Sequence, residues 1–371
     1  MRASLLSTAV DKGTPRARKG NIMNHNPPVR PVLDRDRFVV TLDDGETVAL
    51  VPGVQAPGRR FRNVDLAMIK LAGANLDGCI FDDCDLSFVD FAHASLEGAQ
   101  FNGCFLNHTI FIGANLRGAE FLLDVVARGL RLEQADLTGA FFAGVDRCEI
   151  HGSIATGANL FGAVFQDLFL NTCDFDGANA GNTRWIKVAY DDVRLRNGDL
   201  AFAEFHRCRF DEVVLTNTVM MGTTFNDCAT AYMALDLTGA DLGGATFDRC
   251  HFGAEGPCDP VVAIGTDFRN TKFIRSQFFQ ADFTRARFDG SVLMNTGFNE
   301  TTQTGTNWTD TKAVDTRLRH CVFDDATLAG AVFRGCALHG AVFNQAGKTV
   351  AQFEECDFAP PVTGTDETLN N

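Results

Sequence analysis

The chain has 371 residues, with 47 Asp/Glu against 33 Lys/Arg and a formal net charge of −14. Hydrophobic residues make up 45%, but no run reaches the ~18 apolar residues of a membrane span, which excludes a helical membrane protein. The acidic balance also disfavours direct binding of nucleic acid, because phosphate would repel it.

Residues 1–36 are polar, basic and aperiodic, and they read as a disordered tail. The apolar stretch Leu5–Val10 is too short for a signal peptide. Met23 is an alternative start, since what precedes it has no structural logic. Residues 37–60 read as a β-hairpin cap and lead-in: Arg37–Pro52 alternates around Asp44-Gly45, a strong hairpin signal. Such a cap covers the first edge of whatever follows and keeps it from pairing with other chains.

Residues 61–358 repeat every five residues. Ala74-Asn75-Leu76, Cys84-Asp85-Leu86, Ala114-Asn115-Leu116, Ala158-Asn159-Leu160 and Ala281-Asp282-Phe283 show the unit. The small residue and the large one lie two apart, so on a strand they share a face and point inward. The two residues after the large one are mostly Gly, Asp or Asn, which turn the chain at low cost. Strand and turn alternating at this interval make a polygon seen down its axis; a helical period of 3.6 cannot hold it. Columns of like residues at twenty-residue spacing predict four sides. Leu76, Leu96 and Leu116 form one column; Phe81, Phe101 and Phe121 another. Leu86 belongs to a third, and Phe91 and Phe111 to a fourth. Further along, Phe175, Trp185, Phe205, Phe283, Phe288 and Phe333 are expected in the core. The architecture is thus all-β, a quadrilateral parallel β-helix of about fourteen coils, roughly 65 Å long at ~4.8 Å per coil.

The phase breaks near 122–131, 144–147, 231–234 and 253–267. Loops on a rigid scaffold usually carry its contacts. The candidates are Leu122, Leu123, Val125 and Val126, then Tyr232 and Met233, then Pro257, Cys258, Pro260 and Val261. Over 301–316 the phase holds, but Gln303 and Ala313 occupy large positions, which predicts a slack coil and a bend. Lys348 also falls at a large position and needs a local bulge. Eleven of the twelve cysteines take the small inward position, where they act as small hydrophobes. Stacked pairs such as Cys84/Cys104 and Cys336/Cys356 are poorly posed for disulfides. That many free thiols suit a reducing cytosol. Only Cys258 is off the pattern. Residues 359–371 read as a disordered tail, and Phe353 and Phe358 mark a candidate dimer end.

The unit resembles the pentapeptide repeat family, over about four-fifths of the chain. The resemblance implies a right-handed quadrilateral parallel β-helix (solenoid). Some members of the family bind type II topoisomerases as mimics of DNA, and several end in a helix that joins two subunits; no such helix is legible after Phe358.

No catalytic, cofactor-binding or metal-binding motif is present, and a coil filled by its own side chains leaves no interior pocket. An enzyme is therefore not expected. Residues 1–37 carry eight Lys/Arg and three Asp/Glu, leaving −19 on the remainder. An acidic rod favours a protein partner with a basic surface, for instance a DNA-binding enzyme, and disfavours nucleic acid and membrane. The leading expectation is a non-catalytic, cytoplasmic protein-interaction scaffold. The alternatives are a DNA mimic that binds and modulates a type II topoisomerase, and an effector or effector-associated protein of a bacterial secretion system.

Overall fold

The computed structural model describes residues 32–34, 37–42, 45–123, 127–230, 235–253, 260–346 and 351–358. Val125, Val126, Tyr232, Met233, Pro257, Cys258, Lys348 and the tails at 1–31 and 359–371 lie outside the described residues. The chain opens with a three-stranded antiparallel sheet: β1 (Val32–Asp34), β2 (Arg37–Thr41) and β3 (Thr47–Leu50). Leu42 and Glu46 close the β2–β3 turn through an amide-to-carbonyl bond of 2.8 Å. Val32–Asp34 was expected in a disordered tail; it instead pairs with β2, because the edge strand of a two-stranded hairpin is completed by a third. Val40, Leu42 and Leu50 are buried in the same apolar core as Ala56 and Phe61.

After β3 the chain winds into a parallel β-solenoid of about fourteen turns, with no helix among the described residues. Each unit pairs with the equivalent unit one coil on. Phe61, Phe81 and Phe101 are in register, and so are Asp65 with Asp85 and Asn75 with Ser95. The chain therefore spirals, with its hydrogen bonds along the axis: Leu66 N donates to Asp85 O at 2.8 Å and Leu86 N to Phe105 O at 2.9 Å. At the corners the second residue after the large one adopts a left-handed backbone, as at Gly73 (φ 67), Gly78 (φ 63) and Asp83 (φ 51). This explains the Gly, Asn and Asp at that position.

Four faces result, each identified by one inward residue: the Phe81, Leu86, Phe91 and Leu96 faces. Leu76, Phe81, Leu86, Phe91, Leu96, Phe101, Phe111, Leu116, Phe121, Trp185, Phe205, Phe283, Phe288 and Phe333 are at most 2% exposed, and Phe175 is 5% exposed. The Phe81 face carries a continuous stack, with centroids 5.3 Å apart at Phe81–Phe101, 4.6 Å at Phe101–Phe121 and 4.1 Å at Phe165–Trp185. Such stacks contribute roughly 0.5–1.5 kcal/mol per pair beyond area burial.

The slack expected at Gln303 and Ala313 is filled. Trp308 reaches toward the Ala313 column, with its ring 5.9 Å from Phe333 and 5.6 Å from Phe323. Val292, Lys312 and Val332 stay in register past it. Trp185 also has an inward alanine five residues away, Ala180 on its preceding side. In both places a large ring and a missing side chain five residues away conserve volume.

Candidate interaction surfaces

The interior holds polar side chains, but it has satisfied nearly all of them. Trp185 Nε1 donates to Thr183 Oγ1 at 2.8 Å, and that hydroxyl donates to Ala180 O at 2.6 Å. Trp308 uses Thr306 in the same way, at 3.0 and 2.6 Å. Gln303 uses Thr301, at 3.0 and 2.9 Å. A threonine at the small position thus serves the polar group two residues later. Tyr190 follows Val188 instead, and its buried hydroxyl has no partner; nor does Gln303 Oε1.

The cysteines use the same small position. Cys84 Sγ donates to Phe61 O at 3.4 Å, Cys104 Sγ to Phe81 O at 3.2 Å and Cys228 Sγ to Phe205 O at 3.3 Å. Eleven free cysteines are described, all buried except the half-buried Cys356. Burial pushes the Cys79 and Cys173 thiols up to about 11 and Cys321 up to about 12. Cys208 is also raised, by burial and then by the neighbouring Cys228 thiol. Cys79, Cys173, Cys208 and Cys321 are thereby held as neutral thiols. Among the described residues no group of three or more His, Cys, Asp or Glu could hold a metal ion.

Outside, the phase breaks are smaller than the sequence suggests. Ala127 is an inward large-position residue, 1% exposed and paired with Ile150. The break after Phe121 therefore adds one residue, rather than interrupting the coil over 122–131. Val261, expected in a loop, is 1% exposed and Ala263 is fully buried, so the coil has resumed by Val261. Alanine at the large position and valine at the small one hide both resumptions from a search for Leu and Phe. Pro260 is exposed, Leu122 is 39% exposed, and Leu123 ends a strand.

All four insertions flank the Leu86 face. Those between Phe121 and Ala127 and between Phe142 and Ile150 lie on its first corner, in adjacent coils (Phe121 pairs with Phe142). There the register jumps between Gln166 and Leu168, opposite Ala143 and Cys148. Those between Thr230 and Leu235 and between Gly253 and Pro260 lie on its second corner, again in adjacent coils. Between the two pairs, the second corner carries Asp191, Asp192 and Glu212, while Asp211 is held by Arg209 at 2.6 Å.

Elsewhere some carboxylates are paired along the axis. Arg249 bridges Asp227 and Asp248, each at 2.6 Å. The hydrogen bond from Arg249 holds the Asp227 carboxyl below its usual range. At Asp136 burial opposes ionisation, but bonds from Thr138 and Arg117 outweigh it and the carboxyl is lowered. Phe353 and Phe358 end the described chain half-buried, their centroids 5.4 Å apart.

The fold defines a solenoid protein built of five-residue units, its interior filled by its own side chains. Pentapeptide repeat models match residues 59–142 and residues 191–227, 263–299 and 309–346. The chain belongs to the pentapeptide repeat family. Among solved structures it is similar to full-length QnrB1, a plasmid-mediated fluoroquinolone resistance protein. The identity is 15% over 60% of this chain and 93% of that one, with a TM-score of 0.20. It is similar to HetL from Nostoc sp., a pentapeptide repeat protein involved in heterocyst differentiation regulation, at 17% identity over 76% and 90%, TM-score 0.14. Rfr23 from Cyanothece matches at 24% identity over 36% and 88%, TM-score 0.19. None of these likenesses bears on activity. No curated protein sequence matches the chain.

Proposed function

We propose that the protein is a non-catalytic interaction scaffold whose Leu86 face receives a partner protein with a basic surface. The observation that carries this is that the residues flanking all four insertions lie on the two edges of that one face, in adjacent coils. Insertions on a merely tolerant surface would scatter over four corners. The carboxylates of Asp191, which accepts only an amide bond from Asn171, and Asp192 join no ion pair among the described residues and favour a cationic partner. Eleven free thiols, ten of them buried, support a reducing, cytosolic setting. The test is affinity capture with the full chain and with chains trimmed in phase, residues 254–260 replaced by one glycine and two residues removed from 231–234. A partner recovered by the full chain and lost by both trimmed chains supports the reading. An identical set recovered by all three overturns it.

A second reading, binding to a type II topoisomerase as a DNA mimic, draws on the acidic outer surface. The pairing of Arg249 and Arg275 with aspartates one coil away, and of Arg269 with Asp267 beside it, weakens it, because neutralised carboxylates do not imitate a phosphate row. No change in gyrase supercoiling at stoichiometric excess would dismiss it. A homodimer through the aromatic end at Phe353 and Phe358 completes the proposal. Light scattering that finds a monomer for both the native chain and Phe353→Lys would remove it.

A further inference from the structure

Four large apolar side chains stand out together along one corner of the rod: Phe161 (44% exposed), Phe202 (61%), Val219 (40%) and Met221 (47%). The corner joins the Leu96 and Phe81 faces and shares neither corner with the insertions. Its coils are ordered by the bridges Asn159–Asn179, Asn179–Asp199, Asp199–Val219 and Val219–Asp241.

Two of the four sit there at a local disadvantage. Phe202 has φ 59, a left-handed backbone that Gly, Asn or Asp adopts more cheaply than an aromatic residue. Val219 interrupts a column of turn acceptors. Asn159 Oδ1 accepts from Phe161 N at 3.3 Å, Asp199 Oδ1 from Ala201 N at 2.8 Å and Asp241 Oδ1 from Gly243 N at 3.0 Å. A valine has no acceptor to offer Met221. Backbone strain and a lost turn bond, both on behalf of apolar surface in water, do not stabilise the fold. They are explained if the surface is covered.

The shape admits a cover. Gly181 and Gly222 lie beneath the Phe161 and Phe202 rings, which a Cβ at either glycine would meet. Past Met221, the bare Gly243 and Gly244 leave an open depression of about 370 Å³ beside Asp241, lined also by Asn270 and by Arg269, whose guanidinium is engaged by Asp267. Asp199 and Asp241 lie one coil to either side of Val219, and neither joins an ion pair among the described residues. Two coils at ~4.8 Å put them roughly 10 Å apart. Helical residues i and i+7 are about 10.5 Å apart, with i+3 and i+4 between them on the same side. Side chains on one face of a strand recur at about 6.7 Å and fit neither once nor twice.

We propose that this corner docks an amphipathic helix of a partner protein, laid along the rod. Lys or Arg at i and i+7 meets Asp199 and Asp241, and apolar residues at i+3 and i+4 cover Phe202, Val219 and Met221. The inference rests on the reading of the chain as an interaction scaffold, but on a different surface.

The test is fluorescence anisotropy of a labelled helical peptide with Lys at i and i+7 and Leu at i+3 and i+4, titrated with the full chain. Saturable binding that weakens with salt is expected, and none for the peptide with Glu at the two charged sites. Asp199→Asn with Asp241→Asn keeps the turn acceptors and removes the charge; it should weaken binding at least tenfold. Phe202→Asn with Val219→Asn relieves the left-handed phenylalanine and restores the turn bond without adding charge. That variant should lose at least tenfold in affinity while its Tm holds or rises, which separates lost contact from lost fold. Peptide binding retained by the trimmed chains shows that this corner acts independently of the Leu86 face. No binding by the native chain, or binding unchanged in both double variants, overturns the proposal.

Discussion

At the residue scale, the small inward position decides what the large one can be. Threonine there lets a tryptophan be buried, because its hydroxyl accepts the indole N–H and hands the bond on to a carbonyl. Thr183→Val and Thr306→Val should each destabilise the fold by about 1–3 kcal/mol, the cost of an orphaned buried donor. Tyr190→Phe should be neutral or stabilising, since the hydroxyl it removes is already unpartnered. Urea unfolding of the three variants checks both. The thiols of Cys79, Cys173 and Cys321 set a pH limit. Their pKa is near 8.5 when unfolded and about 11 to 12 when folded. The unfolded chain therefore loses these protons first as pH rises. Their contribution is fully present below about pH 8.5 and declines above it, by ~1.4 kcal/mol per pH unit for each such thiol. Tm should fall steeply above about pH 9, and less steeply when Cys79, Cys173 and Cys321 are alanine.

At the scale of the element, each coil conserves its interior volume rather than its composition. Ala313→Leu crowds Trp308 and should cost about 1–3 kcal/mol, and Trp308→Leu leaves a void worth about 3–5 kcal/mol. Because one fills what the other vacates, the double variant should be more stable than the sum of the two losses predicts; a thermal-melt cycle reads the coupling. The same compensation limits what a sequence discloses. The repeat, its four sides and the columns were legible because Leu and Phe recur at fixed spacing. The true size of the insertions was not, because Ala127 and Ala263 hold large positions without large side chains, and only the register of the neighbouring coil identifies them. Gln303 likewise looks like a defect until Thr301 is seen beside it. The exposed corner at Phe202 was also illegible: the period assigns that residue outward and stops there, whereas its meaning lies in φ and in the residues one coil away.

At the scale of the molecule, the rod has two kinds of outer surface. One is defined by added chain on both edges of the Leu86 face. The other is defined by apolar side chains placed where turn-forming polar ones would be better. Elsewhere on the surface several charged residues pair along the axis, as at Arg196 with Asp176 and Arg249 with Asp227. Exposed pairs of this kind are worth little individually, so the surface can vary without loss of the rod. The axial hydrogen bonds have a further consequence. Neighbouring coils are joined by parallel ladders, but the chain passes from one coil to the next only once per turn. Pulled from its two ends, the protein should not rupture as a block. It should unspool coil by coil, releasing about twenty residues, or roughly 70 Å of extended chain, at each step. A single-molecule force trace would thus read the repeat as a length, with longer steps where the insertions lie.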